Sequence, residues 1–155
     1  MRRQDREVVQ QNEIDAIIES CDCLRLGLNA EDGAYIVPLN FAYVPGKPAK
    51  FYFHSAKEGR KVDMIGQGTK AGFELDGAHR LGEAEIGCRH TFFYQSVIGT
   101  GTVRPVETLE EKKRALSAIM AHYRKDCAFS FTDEQADAVA VFCLTAETMS
   151  CKQHS

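Results

Sequence analysis

Residues 51–61 read FYFHSAKEGRK. A run of β-formers ends at His54 and gives way to a polar, helix-like segment in which Lys57, Arg60 and Lys61 fall at i, i+3 and i+4, on one helix face. Ser55 and Glu58 have the Ser-x-x-Glu spacing of a capping box, which predicts a helix starting at about Ala56, directly after a strand. Cations beside a helix N-terminus oppose the helix dipole by about 0.3–1 kcal/mol each at exposed sites. A bound anion reverses that sign, and a phosphate at a strand-to-helix junction can accept from backbone N–H groups and from Lys or Arg side chains together. Gly59 fits the same picture, because Gly inside a helix costs about 1 kcal/mol relative to Ala and is easier to understand where something approaches closely. A solvated charged face, with Glu58 offsetting part of the repulsion, is the competing reading, and the stretch alone leaves both open.

Upstream, Ile14, Ile17 and Ile18 follow a candidate Asn12 cap at helical spacing, predicting a short helix over 13–20. CLRLGL (23–28) alternates, NAEDG (29–33) supplies turn chemistry and AYIVPLNFAYV (34–44) is a second β-rich run, together a hairpin. PGKP (45–48) then turns the chain into the strand KFYFH (50–54). Downstream, AGFELD (71–76) reads as a strand and GAHRLGEAEIGCRH (77–90) as a long loop. TFFYQSVIGTGTVRPVE (91–107) is a long β segment in which Gly99 and Gly101 mark a bulge, a bend or a close backbone approach. TLEEKKRALSAIMAHYRK (108–125) opens with the box Thr108-x-x-Glu111 and aligns Leu116, Ile119, Met120 and Tyr123 as an amphipathic helix. Thr132-x-x-Gln135 opens a short helix before a final strand, AVAVFCLTAE (138–147). About six strands joined mostly by tight turns predict a mainly β, α+β fold: an antiparallel sheet curled into a small barrel with peripheral helices.

With 155 residues, 44% of them hydrophobic, the chain can bury one ordinary core, so a single domain over 1–155 is expected. Its 19 basic and 22 acidic residues, formal net charge -3, exert no general pull on nucleic acid or anionic lipid. Anion binding must therefore be local. The opening MRRQDREVVQQNE is polar, and no apolar run approaches the roughly 18 residues that span a bilayer, so the expectation is a cytoplasmic protein without a membrane partner. In that setting the six cysteines are expected to be reduced thiols. Cys88-x-His90 and Cys21-x-Cys23 lack the two-residue gap of structural zinc knuckles, and Cys21 and Cys23 would share one strand face, too constrained for a disulfide. No metal site is expected. Nor is there a Ser-His-Asp, P-loop or HExxH spacing, which points to chemistry carried by a cofactor.

The succession YIVPLNFAY (35–43), FYFHSAKEGRKVDMI (51–65), AGFELD (71–76), YQSVIGTGTV (94–103) and ETMSCK (147–152), with the opening MRRQDREV, resembles the pyridoxamine 5'-phosphate oxidase-like flavoproteins, specifically the nitroimidazole-resistance branch. The resemblance implies an FMN-binding split β-barrel, normally a homodimer with two flavin sites at the subunit interface. It implies an FMN phosphate on Arg60 and Lys61, with His54, Ser55 and Lys57 in the same segment, and a flavin ring along Val37, Pro38, Leu39 and Asn40, with Ser96 as a further contact. Pro38 suits a sheet edge and Asn40 can hydrogen-bond a ring edge. His54 is the candidate catalytic residue, since imidazole titrates near neutrality. Members that oxidise pyridoxamine phosphate carry a basic residue in the segment matching Tyr35 to Asn40; its absence here speaks against vitamin synthesis. The implied activity is reduction of a small-molecule electron acceptor such as a nitroaromatic by a flavin-dependent oxidoreductase. A cysteine before the YxSVIG segment, here Cys88, also matches the branch, and a place near the flavin is one reading of it. Two alternatives stay open: a haem-binding protein on the same barrel, with His54, His79 or His90 as axial ligand, and a non-catalytic flavin carrier or sensor.

Overall fold

The structure, a computed structural model, describes residues 3–155; Met1 and Arg2 of the opening segment lie outside the described residues. The elements in chain order are β1 (Glu7–Val8), α1 (Gln11–Ser20), β2 (Leu24–Ala30), β3 (Gly33–Leu39), β4 (Ala42–Val44), β5 (Lys50–Ser55), α2 (Arg60–Ile65), β6 (Thr69–Gly82), β7 (Thr91–Pro105), α3 (Leu109–Tyr123), α4 (Asp133–Asp137) and β8 (Ala140–His154). The strands form one antiparallel sheet in the order β3-β2-β6-β7-β8-β5-β4, with β1 added to β8. There are eight strands among the described residues rather than about six.

The two ends of this path, β3 and β4, are neighbours in the chain, separated only by Asn40 and Phe41. Three peptide steps reach at most about 11 Å, so the two outer edges of the sheet must be brought together at Leu39 and Ala42. The sheet is thereby curled on itself, yet β3 and β4 do not pair, and the seam between them stays open. The expected split barrel with peripheral helices is what the topology produces. The run 34–44, read as one strand, breaks at that seam. Pro38 lies on β3, an edge strand, where a missing N–H costs no ladder bond on the free side.

Alternate side chains of the long strands line the interior: Leu24, Leu26 and Leu28 on β2, Phe73 and Leu75 on β6, Val97 and Val103 on β7, joined by Phe41, Phe51, Phe53, Phe142 and Leu144. Ile17 and Ile18 of α1 close one end of this core. A second, smaller cluster (Val106, Ala115, Leu116, Ala136 and Val141) lies under α3 and α4. The capping box predicted at Thr132 and Gln135 is complete, whereas at Thr108 only half forms. Thr108 accepts from the Glu111 N–H, while the Glu111 carboxylate accepts from the Tyr52 hydroxyl at 3.1 Å. The first helix starts at Gln11 after Gln10, which makes no side-chain cap, so Asn12 is not the cap.

Of the stretch 77–90 expected as a loop, only 83–90 is a connection, and 77–82 is strand. β6 runs on to Gly82 and pairs with β7 through Gly82↔Thr91, past a register shift between Gly77 and Arg80. The final strand is likewise longer than 138–147 and runs to His154, so ETMSCK lies within β8. All six cysteines are free, and Cys21 caps α1 while Cys23 precedes β2, so the two do not share a strand face. Among the described residues, no helix is long and apolar enough to cross a membrane.

Candidate functional site

The strand β5 ends at Ser55 as predicted, but no helix begins at Ala56. The Ser55 hydroxyl donates to the Ala56 carbonyl at 2.7 Å, and the helix starts at Arg60. Gly59 is the residue that sets this start. Its φ of 125° is one that side-chain-bearing residues rarely adopt, and its carbonyl accepts from the Val62 N–H at 2.8 Å and the Asp63 N–H at 3.1 Å. The Ser55–Glu58 capping box is therefore absent, and Gly59 stands before the helix rather than inside it. Lys57 lies in the turn, paired with Asp137 at 3.2 Å, and does not share a helix face with Arg60 and Lys61.

The three cations consequently differ in kind. Lys57 is matched by Asp137. Arg60 is matched by Asp32, 2.6 Å away in the β2–β3 turn, and its guanidinium lies 4.8 Å over the Tyr35 ring of β3. Lys61 is half-buried and, among the described residues, forms no ion pair. Partial burial lowers its pKa and is also the first cause of the lowering at His54, with the Lys61 charge adding to it. The Lys61 charge is thus felt at His54, and among the described residues neither group forms an ion pair. Such an arrangement is unfavourable by itself and is relieved when an anion arrives.

Arg60 also connects this pair to the ring segment of the expectation. Asp32 and Tyr35 belong to the hairpin that carries Val37, Pro38, Leu39 and Asn40, so one side chain ties the start of α2 to both the tip and the flank of that hairpin. An open depression lined by Asn29, Ala30, Glu31, Asp32, Arg60 and Met64 lies at this junction. Asn40 is exposed at the seam, Leu39 points into the core and Pro38 faces outward. Ser96 is not gathered with the β5–α2 cluster within one chain. It pairs with Lys152 far along β8, whereas β5 meets β8 at 140–145. Eleven strand steps lead from Val141, the partner of His54, to Lys152, the partner of Ser96, up to about 36 Å. Cys88 is exposed in the connection between β6 and β7, and among the described residues no three His, Cys, Asp or Glu side chains gather as a metal site. Sequence reasoning missed Asp32 and Tyr35, whose part depends on a contact across the fold.

The pyridoxamine 5'-phosphate oxidase family model matches residues 10–153. The chain belongs to the pyridoxamine 5'-phosphate oxidase family. This family member is 30% identical to a protein from Bacteroides thetaiotaomicron provisionally described as a 5-nitroimidazole antibiotic resistance protein, with a TM-score of 0.80 over 95% of this chain and 86% of that one. It shares its fold with the FAD and haem binding protein of Mycobacterium smegmatis at 14% identity and a TM-score of 0.81, covering 97% of this chain and 74% of that one. The flavocytochrome Anf3 of Azotobacter vinelandii has the same fold at 16% identity and a TM-score of 0.79, covering 100% of this chain and 72% of that one. No curated protein matches. The family member described here therefore has the split-barrel fold that the sequence resemblance implied.

Proposed function

We propose that this protein binds FMN and acts, as a homodimer with flavin at the subunit interface, as an oxidoreductase that reduces a small acceptor such as a nitroaromatic. The observation that carries this reading is the half-buried Lys61, whose charge acts on His54 and which among the described residues has no ion-pair partner, at the β5–α2 turn of a family member. A phosphate monoester fits such a donor set. Lys61 would hold it as an unpaired cation. Arg60 would join only by sharing or exchanging Asp32, and Ser55 offers a hydroxyl at the same turn. Val37, Pro38, Leu39 and Asn40 would flank the ring, with Asn40 at the seam free to hydrogen-bond its edge. Ser96, remote from this cluster in its own chain, would contribute from the second subunit. FMN, when bound, supplies the electron transfer, and the protein's part is anchoring, orientation and control of access. His54, whose pKa is lowered by partial burial and by the Lys61 charge, can take up a proton where negative charge develops nearby.

The direct test is reconstitution. Protein is mixed separately with FMN and with haem, desalted and examined by its visible spectrum; retained flavin bands are expected, followed by reoxidation of the reduced holoprotein by a nitroaromatic. A retained Soret band without flavin would move the reading to haem, and bound flavin that no acceptor reoxidises would move it to a carrier.

A second expectation concerns pH. In the free protein His54 titrates below 6.5, because the charged form is disfavoured by partial burial and by Lys61. A phosphate dianion favours that charged form, so the bound-state pKa is higher and binding takes up protons. FMN affinity should strengthen as pH falls through the window between the bound and free values. The phosphate monoester of FMN titrates at about pH 6 and contributes its own proton exchange, so calorimetry at pH 7 in buffers of different ionisation enthalpy should show more proton uptake with wild type than with His54→Gln. Equal proton exchange in the two would rule out His54 beside the phosphate.

A further inference from the structure

The last turn of α3 reaches the open seam of the barrel. Phe41 follows Asn40 directly and lies between the two unpaired edges, so its N–H has no strand partner there. It donates instead to the Tyr123 hydroxyl at 3.1 Å, and that hydroxyl in turn donates to the Asp22 carbonyl at 2.8 Å. The neighbouring His122 donates from Nε2 to the Cys21 carbonyl at 2.8 Å and packs its ring 4.5 Å from that of Phe41, which is fully buried. Two side chains at one helix end thus hold both feet of the β2–β3 hairpin: Cys21–Asp22 before β2, and Phe41 after β3.

This hold matters because, although Leu24, Leu26, Leu28 and Leu39 anchor the hairpin's inner face in the core and Arg25 pairs with Glu74 and Asp76, its backbone pairing to the rest of the sheet is short. β2 and β3 pair with each other through seven residues, but β2 joins β6 only at Arg25↔Glu74, Leu26↔Phe73 and Gly27↔Gly72. The far edge of β3 is free. Its tip is tied by Arg60 to Asp32, an exposed pair of small energetic weight. The base of the hairpin is therefore where its direction is set, and the residue next to that base is Asn40.

We infer that Tyr123 is a positioning residue for the cofactor: by fixing the Phe41 N–H against the Asp22 carbonyl it sets where Asn40 and the β3 backbone present themselves to the flavin ring. This rests on the FMN reading above for its ligand, but not for its structural premise. Tyr123 makes no contact with the basic cluster and acts on the ring end of the site alone.

The test compares Tyr123→Phe, which removes one hydroxyl and keeps the ring, with Tyr43→Phe. Tyr43 is also tethered by its hydroxyl, 2.6 Å from Asp15 of α1, but stands on the β4 side of the seam and not on the β2–β3 hairpin, and serves as the control for lost stability. Riboflavin and FMN are the probes. In Tyr123→Phe both should bind about tenfold more weakly, by the same factor, the scale of one hydrogen bond, and the visible bands of the bound flavin should shift. Tyr43→Phe should lower the melting temperature while leaving flavin affinity and spectrum as in wild type. Unchanged flavin affinity and spectrum in Tyr123→Phe, whatever its melting temperature, would overturn the inference, as would equal changes in both variants. Should wild type bind neither flavin, the FMN reading fails and amide hydrogen exchange decides the premise. Faster exchange at Phe41 in Tyr123→Phe, with the β7 amides unaffected, would uphold the hold on the seam; unchanged exchange at Phe41 would overturn it.

Discussion

Replacing both Arg60 and Lys61 by alanine should weaken FMN binding at least a hundredfold while leaving riboflavin binding as it is. A charge-assisted hydrogen bond is worth about 1.5–3 kcal/mol, and the two residues are the basic groups at the start of α2. Their contributions should be unequal. Lys61 has no acidic partner among the described residues, so a phosphate gains its whole charge. Arg60 is engaged with Asp32 at 2.6 Å, and whatever it gains from a phosphate is offset by weakening that pair. Lys61→Ala should therefore account for most of the loss and Arg60→Ala for the smaller part. Neither change should greatly disturb the fold, since the Arg60–Asp32 pair is exposed and such pairs contribute about 0–1 kcal/mol. Equilibrium titration of both flavins, followed by fluorescence quenching, reads the outcome. FMN affinity that stays at the wild-type value in the double variant would remove the phosphate from this turn, and equal losses of FMN and riboflavin would show that the damage is not to phosphate recognition.

The basic cluster was legible because it is local: His54, Ser55, Lys57, Arg60 and Lys61 lie within eight residues of one another, and a strand-to-turn boundary gathers them without help from the rest of the chain. What decides their separate roles is not local. Asp137 takes Lys57 and Asp32 takes Arg60, from 80 and 28 residues away, and nothing in either acidic residue's own surroundings announces the pairing. The helix start was misplaced for a related reason. Ser55 and Glu58 have the right spacing, but the positive φ at Gly59 breaks the chain direction after them, and a glycine in a charged segment reads equally well inside a helix or before one. Strand alternation succeeded wherever one face meets the core, as at Leu24, Leu26 and Leu28. It failed at 77–90, where β6 and β7 leave the core as a two-stranded ribbon with Leu81 and Phe92 exposed, so no apolar period is imposed. The seam at Asn40–Phe41 was hidden for the opposite reason. Leu39 and Phe41 are both buried and keep the strand period, so the alternation continues through a point where the hydrogen-bond partners change.

Gly99→Ala should be strongly destabilising for a single added methyl group. Gly99 pairs with Phe73 on β6 and Met149 on β8 and faces the core, where its missing side chain leaves room for the Phe73 ring. An added Cβ would stand 2.5 Å from Phe73 Cε1, and nearer still to Phe73 Cζ and the Thr148 carbonyl oxygen. The ring cannot simply withdraw, because it is 97% buried by its 3% exposure and packs 5.1 Å from Phe51, while the Thr148 oxygen belongs to the backbone beside the Thr100–Gly101 register shift. Overpacking typically costs about 1–3 kcal/mol, and contacts this close put Gly99→Ala at the upper end, about 3 kcal/mol, which for a chain of this size lowers the melting temperature by roughly 6–12 °C. Gly27→Ala is the matched control. Gly27 faces outward on β2, and its added Cβ would meet only the Gly72 carbonyl oxygen at 3.6 Å, an ordinary contact, so its melting temperature should stay near wild type. Adding Phe73→Leu to Gly99→Ala should restore part of the loss, because the smaller side chain yields the space the methyl needs, although the clash with Thr148 remains. A cycle in which the two changes merely add would mean that the backbone at Thr148, rather than the ring, dictates glycine at this position; a Gly99→Ala protein as stable as wild type would mean that β7 and β8 can separate here without cost, contrary to a barrel closed through these two strands.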